Sequence, residues 1–170
     1  MIDDNWLTIA IRLGLATLVG LVIGFEREWR GHDAGLRTHA LVALSSAMIV
    51  ISALLISREI VDHGQESDPV RAIQGLAQAI GFIAGGLIFV RGGDVRNMTT
   101  AASLWMAAAV GIAAGAGQFV LVVLASAMAL LVLTVLSLLK RFMPSPPPDV
   151  GNDDAERLSP PNRRGTIDEG

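Results

Sequence analysis

The stretches GFEREWR, residues 24–30, and AGLRTH, residues 34–39, set Glu26, Arg27, Glu28, Arg30 and Arg37 between two long apolar runs. Charge in such a gap marks the edge of a membrane, because hydrocarbon excludes it and the adjoining water holds it. Composition agrees. Of 170 residues, 52% are hydrophobic and 17% charged, and the mean hydropathy is +0.53. Soluble domains average about 25% charged residues, so the chain reads as an integral membrane protein.

Crossing about 30 Å of hydrocarbon takes about 20 helical residues. Working outward from the charged stretch, carboxylate-free segments of near that length fall at 6–25, 39–57, 70–90, 99–115 and 118–139. The expected fold is therefore all-α: a polytopic bundle of five transmembrane helices over residues 1–142, with no soluble domain. The first segment is read as a retained span, not a cleaved leader, since Asp3 and Asp4 precede it where a signal peptide carries basic residues. From Pro144 onward, prolines at 144, 146, 147, 148, 160 and 161 alternate with Asp, Glu, Arg, Ser and Gly. Residues 143–170 are accordingly expected to be a disordered cytoplasmic tail.

Orientation follows the basic residues that flank the spans. One side collects Arg27, Arg30, Arg37, Arg91, Arg96, Lys140 and Arg141; the other has Arg58 and Arg71, with Arg12 read as snorkelling outward from helix one. The richer side is expected to be cytoplasmic, which puts the N-terminus outside and the C-terminus inside. Trp6 and Trp29 suit interfacial anchors, and Trp105 reads as a packing residue.

Local signals refine the helix starts. Asp68 can accept from free amides while Pro69 takes the first helical position, which starts helix three beside Arg71. Thr38 and Thr99 or Thr100 suit the same capping role for helices two and four. Gly81, Gly85 and Gly86 in helix three and Gly111 and Gly115 in helix four have the small-residue spacing that lets helices approach closely in lipid. Those two helices are therefore expected to be central. Gln74 and Gln78, one turn apart, suit interhelical hydrogen bonding or a polar groove.

The candidate site lies at the charged edge. Glu26 and Arg30 can pair at i, i+4 while Arg27 faces elsewhere. Two helix starts on the same side, one with Gly35, Leu36, Arg37 and Thr38 and one with Arg96, Thr99 and Thr100, combine free N–H groups with arginine. They suit phosphate, a lipid headgroup or a partner's carboxylate; a solvated anchoring end is the plainer alternative. His39 alone makes no metal site and is expected to donate to a neighbouring helix. The chain has no cysteine, and no nucleophile–base pair or phosphate loop stands out, so catalytic and metal-ligating residues are expected to be none. The spans carry no acidic ligand for Mg²⁺, which is held by hard oxygen ligands and sheds water reluctantly.

LGLATLVGLVIGFERE, AGLRTHALVAL, DPVR, AIGFIAGGLIF and TTAASLWMAAAVGIAAGAG, in this order and spacing, resemble the membrane domain of the MgtC/SapB family over residues 10–135. The resemblance implies a bacterial inner-membrane protein of five helices, with functional weight on Glu26, Arg27, Gly35, Leu36, Arg37, Thr38, Asp68, Arg71, Thr99 and Thr100. It also implies links to growth at low Mg²⁺, survival in macrophages and restraint of the proton-driven ATP synthase. Many family members append a soluble cytoplasmic domain where this chain has its proline-rich tail. The chain departs from the family pattern at Ala79–Gly86 and at Asn97-Met98.

Two function classes stay open. One is a non-enzymatic membrane regulator in contact with other membrane complexes, ATP synthase among them. The other is a homo-oligomeric transporter or channel for Mg²⁺ or another ion. The expected partners are the lipid bilayer and a second copy in a dimer, with no nucleic acid; no cofactor follows from the residues, and Mg²⁺ enters only through the resemblance.

Overall fold

The computed structural model describes residues 5–91 and 94–142, so the expected tail at 143–170 lies outside the described residues. The elements are α1 (Trp6–Trp29), α2 (Leu36–Asp62), α3 (Val70–Leu87), β1 (Phe89–Arg91), β2 (Asp94–Arg96), α4 (Met98–Gly115) and α5 (Phe119–Phe142). The first three helices and α4 are long and apolar enough to cross a membrane, and α5 adds the apolar stretch Phe119–Val135. The chain is an all-α, multi-pass membrane protein, as its composition requires. One small addition to the expected helices is the antiparallel pair β1–β2, in which Val90 faces Val95 between α3 and α4.

The centre of the bundle is α4 with α1 and α2, which corrects the expected pairing of helices three and four. Ala107, Ala108 and Ala114 of α4 are almost fully buried, and their small side chains let the neighbouring helices close in. One core cluster joins Ala16, Val19 and Ile23 of α1 to Ala43 and Ala47 of α2, Val110, Ala113 and Ala114 of α4, and Val122 of α5. A second joins Val50 of α2, Leu76 and Ile80 of α3, and Ala108 of α4. Thus α3 touches the core along one narrow face only.

Glycine sets the closest approaches. A Cβ at Gly20 would come 2.7 Å from the His39 carbonyl, and one at Gly24 2.7 Å from the Leu36 Cα, so α1 and α2 nearly touch backbone to backbone. On α4, a Cβ at Gly111 would strike the Ala43 carbonyl of α2, and one at Gly115 would sit 2.7 Å from the Ala47 carbonyl. Gly111 and Gly115 therefore pack as expected of small residues. Gly81, Gly85 and Gly86 do not: a Cβ there meets nothing within 4 Å, because α3 meets the core through Leu76, Ile80 and Ala84 and leaves these positions exposed. Gln74 and Gln78 are also exposed, so neither bonds across to a neighbouring helix. Trp105 is 42% exposed instead of packed inside, because the alanines of α4 turn inward and leave the indole outside.

Candidate recognition site at the charged edge

Helix α1 does not stop at residue 25; it runs through Glu26, Arg27 and Glu28 to Trp29. Glu26 and Arg30 form the i, i+4 ion pair, with only 13% of the Glu26 side chain exposed. Both Glu26 oxygens are buried without a hydrogen-bond donor, so Arg30 is the countercharge that makes this position tolerable. A shielded carboxylate thus lies in the last turns of α1, just beyond the carboxylate-free segment 6–25.

One residue on, the side chain turns the other way. Arg27 is 3% exposed and its Nη2 donates to Thr100 Oγ1 of α4 at 3.2 Å, while its Nε has no partner. Beside it His39, fully buried, links α2 to α4: Nδ1 lies 2.9 Å from the Gly35 carbonyl and Nε2 3.0 Å from Ser103 Oγ. A carbonyl oxygen can only accept, so Nδ1 carries the proton, and Nε2 of the neutral ring accepts from Ser103. The Thr100 carbonyl, 2.8 Å from the same hydroxyl, competes for that proton. Arg27, His39, Thr100 and Ser103 therefore tie three helices together at one end of the bundle.

The α1–α2 turn is organised by Glu28. Its Oε2 accepts from the Leu36 amide at 2.8 Å, and Gly35 leaves room for the carboxylate where a Cβ would collide with it. This carboxylate sits at the electropositive start of α2. It therefore does what was expected of Thr38, and α2 begins at Leu36 instead of residue 39. Thr38 and Arg37 fall in the first turn, both exposed, and line a cavity of about 520 Å³ with Glu28, His32, Asp33 and Gly35.

The second helix start is built differently. α4 begins at Met98 after Asn97, which adopts left-handed φ 66°, and no side chain caps it. Thr100 is inside, bonded to Arg27, so it is not a cap. Arg96 is exposed on β2, and Thr99 opens onto a separate apolar cavity of about 480 Å³ between α4 and α5. Of the expected cluster, the structure gathers Arg27 with Thr100; Arg37 and Thr38 line one cavity, Thr99 lines another, and Arg96 lines neither.

At the other end of the bundle, Asp68 accepts from the Val70 amide through Oδ1 at 3.1 Å and pairs through Oδ2 with Arg71 at 3.6 Å, next to Pro69. Both side chains are exposed, and such pairs contribute little to stability.

A further polar contact differs from the expected one. Arg12 does not snorkel outward: it is 8% exposed and its Nη1 donates to the Gly115 carbonyl at 2.8 Å, at the C-terminus of α4. A cation suits the unsatisfied carbonyls of a helix end. The guanidinium lies over Gly117, whose φ of +79° and whose Cβ position, 2.7 Å from Nη2, both demand glycine. The signal was available in a lone arginine six residues into an apolar helix together with the Gly115-Ala116-Gly117 turn. Arg12 and Arg27 of α1 thus hold α4 at its two ends.

Comparison with known proteins adds what geometry alone does not. The sequence profile of the MgtC family matches residues 13–142. An uncharacterized protein of Synechocystis is 39% identical over 139 residues, 82% of this chain and 56% of that one. The protein MgtC of Brucella abortus is 44% identical over 102 residues, 60% of this chain and 40% of its own length. The putative magnesium transporter YhiD of Escherichia coli K12 is 40% identical over 127 residues, covering 74% and 59%. The chain thus spans about half the length of the curated relatives it matches. No solved structure is detectably similar.

Proposed function

Because this chain belongs to the MgtC family, we propose that it is a non-enzymatic regulator in the bacterial inner membrane, tied to Mg²⁺ homeostasis and acting by contact with other membrane complexes. The N-terminus lies outside and the C-terminus in the cytoplasm, which puts the α1–α2 turn and the β1–β2 pair on the cytoplasmic side. The observation that carries this reading is the use made of charge. Arg12, Arg27 and His39 are tied to Gly115, Thr100 and Ser103, and the shielded Glu26 carboxylate, the kind of hard oxygen ligand a Mg²⁺ path would need, is paired with Arg30. Among the described residues no three of His, Asp and Glu converge as metal ligands. The charge left accessible, Arg37 with the Glu28 cavity and Arg96 on β2, faces outward from the bundle end. It suits a headgroup phosphate or the carboxylates of a partner such as the ATP synthase named by the resemblance.

The test is rescue of a null strain growing at low Mg²⁺. The wild-type chain restores growth, and Arg37→Ala combined with Arg96→Ala loses it at unchanged protein level. Full rescue by the double variant overturns the docking role of this edge.

The transporter reading draws on one relative's name, putative magnesium transporter, and on the exposed amides of Gln74 and Gln78. It requires several copies to enclose a path, since in one copy those amides face away from the bundle.

A further inference from the structure

Helix α3 is packed on one side and bare on the other. Leu76, Ile80 and Ala84 face the core, while Gln74, Gln78, Gly81, Phe82 and Gly85 are exposed. Positions 74, 78, 81 and 85 follow the three- and four-residue steps that align side chains on one helix face. Three properties of this face suit a partner helix, and the first is one that lipid does not satisfy.

First, Gln74 and Gln78 lie within the span Val70–Leu87 with no hydrogen-bond partner among the described residues. Hydrocarbon offers a carboxamide neither donor nor acceptor. Another carboxamide offers both, so an identical glutamine is a complementary partner. Second, Gly81 and Gly85 are free of any requirement from the bundle itself, since a Cβ at either meets nothing within 4 Å; on α4, by contrast, Gly111 and Gly115 are in backbone contact with α2. Third, Phe82 is 85% exposed, more than any other large apolar side chain described, and α3 and α4 flank an apolar groove of about 700 Å³. Gly81, Gly85 and Ala102 line that groove with Trp105.

We propose that a second copy of this chain occupies this face. The two α3 helices cross at Gly81 and Gly85 about a two-fold axis along the membrane normal, Gln74 and Gln78 bond to their counterparts, and each Phe82 enters the other copy's groove. A two-fold axis sets each residue of α3 against its own copy, which is what a self-complementary amide pair and a projecting ring with a groove to receive it require. Small residues at the crossing let the backbones approach where lipid provides no hydrophobic drive for association. The inference stands apart from the proposed function, since it concerns a face on which none of the charged-edge residues lies.

The chain has no cysteine, so single cysteines report contacts directly. In native membranes, oxidation of Gln78→Cys, Gly81→Cys or Gly85→Cys is expected to give covalent dimers. Val120→Cys and Leu124→Cys, on the exposed face of α5, are expected to give none. Absence of dimer at all three α3 positions, equal yield at the α5 controls, or cross-linking only to a different protein overturns the proposal. Energy transfer between labelled copies diluted in liposomes is the second measurement. Gly85→Leu should weaken association at least tenfold without lowering the thermal stability of the single copy, because a Cβ at this position meets nothing within 4 Å and the groove beside it is open. Unchanged association on that substitution also overturns it.

Discussion

Substituting alanine at Gly111 measures how closely α4 is packed on α2. The added Cβ would collide with the Ala43 carbonyl and lie 2.8 Å from Ser46 Cβ, and the Ala43 carbonyl belongs to a helix backbone that cannot rotate away. The helices must part, and the contacts of Ala43, Ala47, Val110 and Ala114 loosen with them. Overpacking of this kind costs about 1–3 kcal/mol. Alanine's higher helix propensity returns about 1 kcal/mol at most, so the net effect is destabilising. Gly14→Ala on α1 is the matched control: its Cβ meets nothing within 4 Å, so only the propensity gain remains. The assay is thermal unfolding of purified protein in detergent, followed by tryptophan emission. Gly111→Ala should melt several degrees below wild type and Gly14→Ala at or slightly above it. Equal melting of the two variants would refute the near-contact of α2 and α4.

Other side chains give further tests. Thr100→Val leaves the buried Arg27 guanidinium without its acceptor and should destabilise by about 1–3 kcal/mol, whereas Arg27→Met, which removes the cation with its partner's need for it, should cost less; the reverse order in the same melting assay would contradict the contact. Glu28→Ala removes the acceptor for the Leu36 amide and should cost about 0.5–2 kcal/mol, with Glu28→Gln recovering most of it; faster amide exchange at the start of α2 in the alanine variant alone is the diagnostic. Gly117→Ala places a Cβ against the Arg12 guanidinium at a left-handed φ and should destabilise more than Ala116→Gly, read by melting temperature.

The membrane-spanning helices were legible because hydrocarbon thickness imposes a length and an apolar composition that any reader of the chain can see. Helix ends were less so. Asp68 and Pro69 carry their own start signal, but α2 begins where a carboxylate from another helix, Glu28, meets the Leu36 amide, and a cap supplied from eight residues away leaves no local pattern. The glycine motifs were equally ambiguous. Gly81, Gly85, Gly111 and Gly115 share one spacing, yet only the last two meet a neighbour within the bundle, since spacing marks a smooth face without saying what lies against it. At the charged edge, the Glu26–Arg30 pair followed from helical periodicity. The Arg27–Thr100 and His39–Ser103 links span 73 and 64 residues of sequence, and no local rule brings those partners together.

In the proposed function, the charged residues of this bundle serve as helix ties and docking groups, not as the lining of an ion path. Mg²⁺ entry into liposomes that contain the purified protein at several copies per vesicle tests it most directly. Uptake is expected at the rate of protein-free liposomes, for the wild-type chain and for Gln74→Leu and Glu26→Gln alike. Rapid uptake by the wild type that either substitution abolishes would contradict it.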